Sequence, residues 1–116
     1  MLLKDLKQDW EEIANLDPYW AILSDPKGKF GKWDTKEFFL TGEREIDKMM
    51  DLAKRLNYPS GQKTALDFGC GVGRTTRALA KYFEHCIGLD ISDKMIADAK
   101  ELNQFIPNCT FVLNTE

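Results

Sequence analysis

Three glycines, Gly69, Gly71 and Gly73, stand at alternate positions straight after the apolar run Thr64–Phe68 and straight before a stretch with helical spacing. That junction constrains the chain more than any other feature. A glycine turn there lets the backbone approach a ligand closely, because no Cβ stands in the way. The helix that follows offers unpaired N–H groups to an anionic group.

The rhythm around the turn extends it into a fold. Cys86–Leu89 is a second short apolar run, ended by Asp90, and Cys109–Leu113 is a third. Between the runs, Thr75, Ala78, Leu79 and Tyr82 recur at helical spacing over residues 74–83. Met95, Ile96, Ala99 and Leu102 do the same behind a Ser92 or Asp93 cap. Strands alternating with helices predict an α/β chain with a parallel sheet of three strands. The runs lack polar alternation, which suits a sheet covered on both faces.

The first half reads differently. Leu2, Leu3, Leu6, Trp10, Ile13 and Ala14 predict an amphipathic helix over residues 2–15. Asp17-Pro18 reads as a cap and first helical position, opening a short turn with Tyr19, Trp20, Ile22 and Leu23. Ser24–Lys32 reads as a loop. Asp34 and Glu37 form a capping box for a short helix holding Phe38 and Phe39. Thr41 is expected to cap a separate helix with Ile46, Met49, Met50, Ala53 and Leu56 as its stripe, stopped at Asn57. Tyr58–Gly61 is a break, so the expected division is a helical part over 1–60 and a sheet part over 61–116.

Composition narrows the function classes. A chain of 116 residues has room for one compact domain, and is short for an enzyme that builds a cofactor site on a parallel sheet. With 43% hydrophobic and 30% charged residues, it is neither disordered nor fibrous. A net charge of −3 argues against a binder of nucleic acid and mildly favours a small-molecule acceptor. Cys70, Cys86 and Cys109 form no C-x-x-C pair, and His85 is the only histidine, so no metal site is expected. The N-terminus lacks a signal-peptide core, and no run is long enough to span a bilayer. A reducing, cytoplasmic protein is expected.

The spacing of the turn refines its chemistry. It is G-x-G-x-G, and Arg74 stands where a dinucleotide fingerprint needs its third glycine. No G-K-[ST] follows, which excludes a nucleotide P-loop. Asp67, just before the turn, would repel a pyrophosphate but suits an amine. Asp90, at the end of the second run, can accept from both hydroxyls of a ribose. Turn, Asp67 and Asp90 together describe a pocket for an amino-acid moiety joined to a nucleoside. Plainer roles stand beside these: Asp67 or Asp90 as helix caps, Phe38, Phe39, Met49 and Met50 as core, His85 as a surface residue, and Arg77 as a solvated side chain. Tyr19, Trp20 and Trp33 suit either a pocket wall or simple packing.

Ala65–Arg74 resembles motif I of class I S-adenosylmethionine-dependent methyltransferases, and Gly88–Ser92 resembles the acidic motif after their second strand. Asp93–Ala99 is similar to the helix that follows it. The resemblance implies a Rossmann-like sheet in the order 3-2-1, the first three strands of a seven-stranded fold, preceded by a helical cap. It implies S-adenosylmethionine as cofactor and methyl transfer as the reaction. It places Gly69, Gly71 and Gly73 at the methionine end, Asp67 near the amino group, Asp90 on the ribose, and Ile91 and Met95 on the adenine, with Cys70 also counted among the cofactor-binding residues. Asn114 stands where the family often has an acid near the adenine amino group. No catalytic base is identifiable. The chain would then be an N-terminal portion, with helices 42–56, 74–83 and 92–103 on one face of the sheet. The other face and the outer edge of the first strand would lie open to self-association or be covered by the N-terminal helix. A non-catalytic nucleoside-binding domain and half of a dinucleotide oxidoreductase are the alternative readings.

Overall fold

The structure, a computed structural model, describes residues 2–22 and 33–115, except for the side chains of Trp20 and Ala21. The expectations for Trp20, Leu23 and the Ser24–Lys32 loop lie outside the described residues.

Among the described residues, five helices and three strands follow in the order α1 (Leu3–Leu16), α2 (Pro18–Ile22), α3 (Thr35–Arg55), β1 (Thr64–Phe68), α4 (Arg74–Leu79), β2 (His85–Asp90), α5 (Asp93–Leu102) and β3 (Cys109–Leu113). The strands form one parallel sheet in the order β1-β2-β3, as expected. Asp67 pairs with Gly88 and Gly88 with Phe111 across it; Phe68, Leu89 and Val112 form the next row.

Alternate residues point to opposite faces. On the covered face, Cys86 and Cys109 meet Ala78 and Leu79 of α4 and Ile46 and Met50 of α3. Phe111 packs with Cys70, Ile96 and Ala99 under α5. A third cluster joins Ala14, Phe38, Phe39, Val72 and Met95, drawing the helical half onto the glycine turn. The opposite face is bare among the described residues: Leu66 is 60% and Phe68 74% exposed. α1 does not cover it; that helix packs on α2 and α5.

Several elements differ from the sequence reading. Thr35–Arg55 is one continuous helix, and Thr41 is interior to it, its hydroxyl donating to the Phe38 carbonyl. Asp34 is the true cap and accepts from the Glu37 N–H. The apparent stop at Thr41-Gly42 has a tertiary cause. A Cβ on Gly42 would lie 2.3 Å from the Arg74 carbonyl oxygen, so glycine lets α3 and α4 meet backbone to backbone. Only Ile46 and Met50 of the expected stripe are buried, whereas Met49 and Leu56 are exposed. α4 ends at Leu79, not residue 83. Asn57 does stop α3, in the left-handed region at φ 62°.

Candidate functional site

The three glycines of the turn all take positive φ: 79° at Gly69, 55° at Gly71 and 89° at Gly73. Any other residue would be strained there. They serve different surroundings. A Cβ on Gly69 would meet nothing within 4 Å. One on Gly73 would collide with Asn103 and Phe111 at 2.8 Å, so Gly73 is the close-packing glycine.

Two hydrogen-bond sets hold the turn over the end of the sheet. The N–H groups of Gly69 and Cys70 both donate to the Leu89 carbonyl, at 2.7 and 2.8 Å. Gly71 N–H donates to Asp90 Oδ2 at 2.8 Å, and Ser92 N–H donates to Asp90 Oδ1 at 3.0 Å. Asp90 therefore ties the glycine turn to the β2–α5 turn with one side chain. Each carboxylate oxygen keeps a further lone pair for a ligand hydroxyl. Ser92, fully buried, caps α5 by accepting from Met95 N–H.

These elements enclose a cavity of about 470 Å³ at the carboxyl end of the strands, where ligands of open α/β sheets bind. Of the residues singled out in the sequence, Gly69, Gly71, Asp90, Ile91, Met95 and Asn114 line it. Asp67, Cys70 and Gly73 are absent from the lining. Asp67 Oδ2 accepts from the Thr75 and Thr76 hydroxyls, both at 2.7 Å, and so steadies the start of α4. Cys70 is buried against Phe111 and Ile96, its Sγ donating to the Gly71 carbonyl. Burial above all, then the Asp90 and Asp67 charges, pushes its thiol far above the ordinary range, which disfavours the thiolate.

The remaining walls carry no motif of their own. Leu3, Leu6 and Trp10 descend from α1, Ile22 from α2, and Phe68 and Leu89 from the sheet. The 3- and 4-residue spacing of Leu3, Leu6 and Trp10 was visible in the sequence, but it is the spacing of any packed helix face. Among the described residues, Asp90 is the only titratable group in the lining. Among the described residues no cluster of three or more His, Cys, Asp or Glu side chains converges on a metal site.

Behind the turn, Arg77 is half-buried rather than solvated. Its guanidinium lies 3.5 Å from the centroid of the Phe39 ring and donates to Asn103 Oδ1 and the Leu102 carbonyl. Asn103 in turn donates to the Val72 carbonyl at 2.9 Å. His85 is exposed at the start of β2, bonded to the Thr110 hydroxyl.

Apolar walls with one carboxylate at a backbone cradle, in a cavity of this size, suit a nucleoside-bearing small molecule. The open space at Gly69 is where a Cβ would intrude, and the residues present fit an S-adenosyl group.

Comparison with known proteins agrees. Residues 65–115 match the family model described as the methyltransferase domain. Residues 65–115 are thus similar to a methyltransferase domain, and the fold agrees with the resemblance to class I S-adenosylmethionine-dependent methyltransferases. Among curated proteins, a putative RNA methyltransferase of Acanthamoeba polyphaga mimivirus is 37% identical over 78 residues, covering 65% of this chain and 20% of its own. The 23S rRNA (uracil(1939)-C(5))-methyltransferase of Marinomonas sp. is 26% identical over 113 residues, covering 85% of this chain and 26% of its own. Among solved structures, phosphoethanolamine N-methyltransferase 1 of Haemonchus contortus, in complex with phosphoethanolamine and S-adenosylhomocysteine, superposes with a TM-score of 0.67. It is 16% identical and covers 96% of this chain and 21% of its own, which shows the shared fold. The chain thus spans about a fifth to a quarter of the length of these relatives.

The relatives correct one expectation. The acidic balance argued against nucleic acid, yet several curated relatives are named RNA methyltransferases. The net charge of a segment that builds a cofactor cavity does not report the surface that receives an acceptor. No helix among the described residues is long and apolar enough to cross a membrane.

Proposed function

We propose that the chain forms the cofactor-binding part of an S-adenosylmethionine-dependent methyltransferase whose acceptor is RNA. The observation that carries the cofactor reading is the cavity bounded by the Gly69–Gly71 backbone and Asp90. The names of the sequence relatives support the acceptor class.

In this reading Gly69 and Gly71 cradle the methionine end and Asp90 accepts from the ribose hydroxyls. Ile91 and Met95 pack on the adenine, and Asn114 faces its edge. Asp67, Cys70 and Gly73 act at one remove, by shaping the turn and anchoring α4. When bound, the cofactor supplies an activated methyl group, so the chain's task is orientation and exclusion of water. A general base is needed only for an acceptor that must lose a proton first. Among the described residues the cavity lining offers Asp90 alone, already committed to two backbone N–H groups.

Calorimetric titration with S-adenosylhomocysteine tests the cofactor: binding by the wild type and its loss in Asp90→Ala are expected. Incubation with methyl-labelled S-adenosylmethionine and total cellular RNA tests the acceptor. Label in ribonuclease-sensitive material is expected; label only in a low-molecular-weight extract would overturn the RNA assignment. Binding without transfer to either would favour a non-catalytic domain.

A further inference from the structure

α1 is attached to the rest of the molecule unevenly. Near its C-terminal end Ala14 is fully buried in the cluster with Phe38, Val72 and Met95. Ala14 is its only buried residue. Toward the N-terminus, Leu3 is 46% and Trp10 39% exposed, although both line the cavity. Apolar burial therefore fixes one end of the helix and leaves the cavity-facing end weakly held.

Polar contacts hold that end instead. Glu11 Oε1 accepts from the Lys94 backbone N–H at 3.1 Å. This N–H lies in the first turn of α5, where no intrahelical carbonyl is in reach. A carboxylate there also complements the positive end of the α5 dipole. One turn earlier, Lys7 Nζ lies 2.9 Å from Asp93 Oδ2. With side chains 37% and 63% exposed, that ion pair adds little by itself. Glu11 is the stronger contact, being half-buried and charge-assisted.

We propose that Glu11 is a positioning residue that clasps α1 to the start of α5. The clasp holds the Leu3–Leu6–Trp10 wall over the cavity and sets how long a bound nucleoside ligand is retained. The inference rests on the cofactor reading given above. A ligand enclosed by this wall leaves only when the wall yields, so weakening the clasp raises the dissociation rate before it alters the floor formed by Asp90 and Met95.

Two measurements on the whole protein separate the clasp from the cofactor reading. Hydrogen exchange on the ligand-free protein reads the clasp. Glu11→Ala is expected to speed exchange across residues 3–10 while leaving α4 unchanged. Glu11→Gln, which keeps an acceptor oxygen, restores most of the protection. Stopped-flow displacement of S-adenosylhomocysteine reads retention. Its dissociation rate is expected to rise about tenfold in Glu11→Ala, the effect of one charge-assisted hydrogen bond, and to return toward wild type in Glu11→Gln. Trp10→Ala, which leaves the clasp intact, is expected to raise the rate without changing exchange over residues 3–10. An unchanged dissociation rate in Glu11→Ala, or faster exchange confined to α5, would overturn the proposal while leaving the cofactor reading in place. Absence of binding by the wild type removes both.

Discussion

Asp90 accepts two backbone N–H groups, from Gly71 and Ser92, on its two carboxylate oxygens. Its removal therefore disturbs the turn as well as any ligand contact. Asp90→Ala should lower stability by about 2 kcal/mol, because two partly buried donors lose a charged acceptor. Asp90→Asn keeps one acceptor oxygen and should lie between. Urea denaturation read as a shift in midpoint at constant slope measures both. Asn103 is a second such residue. Buried to 3% exposure, it links Arg77 to the Val72 and Ala99 carbonyls. Asn103→Ala should cost about 2 kcal/mol in the same assay, through acceptors and a donor left without partners. Asp90 stood out in the sequence as an acid closing a strand beside a glycine turn, but its tie between Gly71 and Ser92 did not. Asn103 did not stand out at all: nothing in its neighbours shows that a residue 31 positions after Val72 would reach that carbonyl.

The strands were legible almost to the residue, since each is a short apolar run bounded by turn-forming or polar residues. Helix α3 was not, because Thr41-Gly42 has the local look of an end and a new start. Its continuity is decided by the backbone of α4 lying against Gly42. The consequence is a prediction in which two effects have opposite sign. Helix propensity alone makes Gly42→Ala stabilising by about 1 kcal/mol. The collision with the Arg74 carbonyl makes it destabilising, by about 2 kcal/mol after relaxation, since neither backbone can yield cheaply. A fall in the thermal midpoint is the expected result. The same packing holds the start of α4, where Arg74 reaches Thr41 and Glu45 of α3. The six wall residues of the cavity were hidden for a related reason. Their spacing marks a helix face or a strand, and only the assembled sheet decides that the face looks onto a cavity rather than a core.

Across the whole molecule, burial of thiols on the covered face makes stability depend on alkaline pH. Burial above all raises Cys86 from 9.0 to about 11. Cys70 and Cys109 shift upward for the same leading reason. Tyr82, whose hydroxyl donates to Asp47, is raised from 10.0 to about 12. The unfolded chain releases these protons first and binds fewer of them than the folded chain as pH rises above about 9. Stability should therefore fall through that window and onward to about pH 11. Thermal melts across this range should show the decline, and Cys86→Ala should make it shallower. The bare sheet face has its own consequence. Phe68 is both a wall of the cavity and the most exposed large apolar residue of that face, at 74%. Whatever settles on the face takes hold of the same ring that a ligand meets from the other side. By thermodynamic linkage the two events share one coupling free energy: if covering the face tightens the cavity by some factor, filling the cavity strengthens the cover by that same factor.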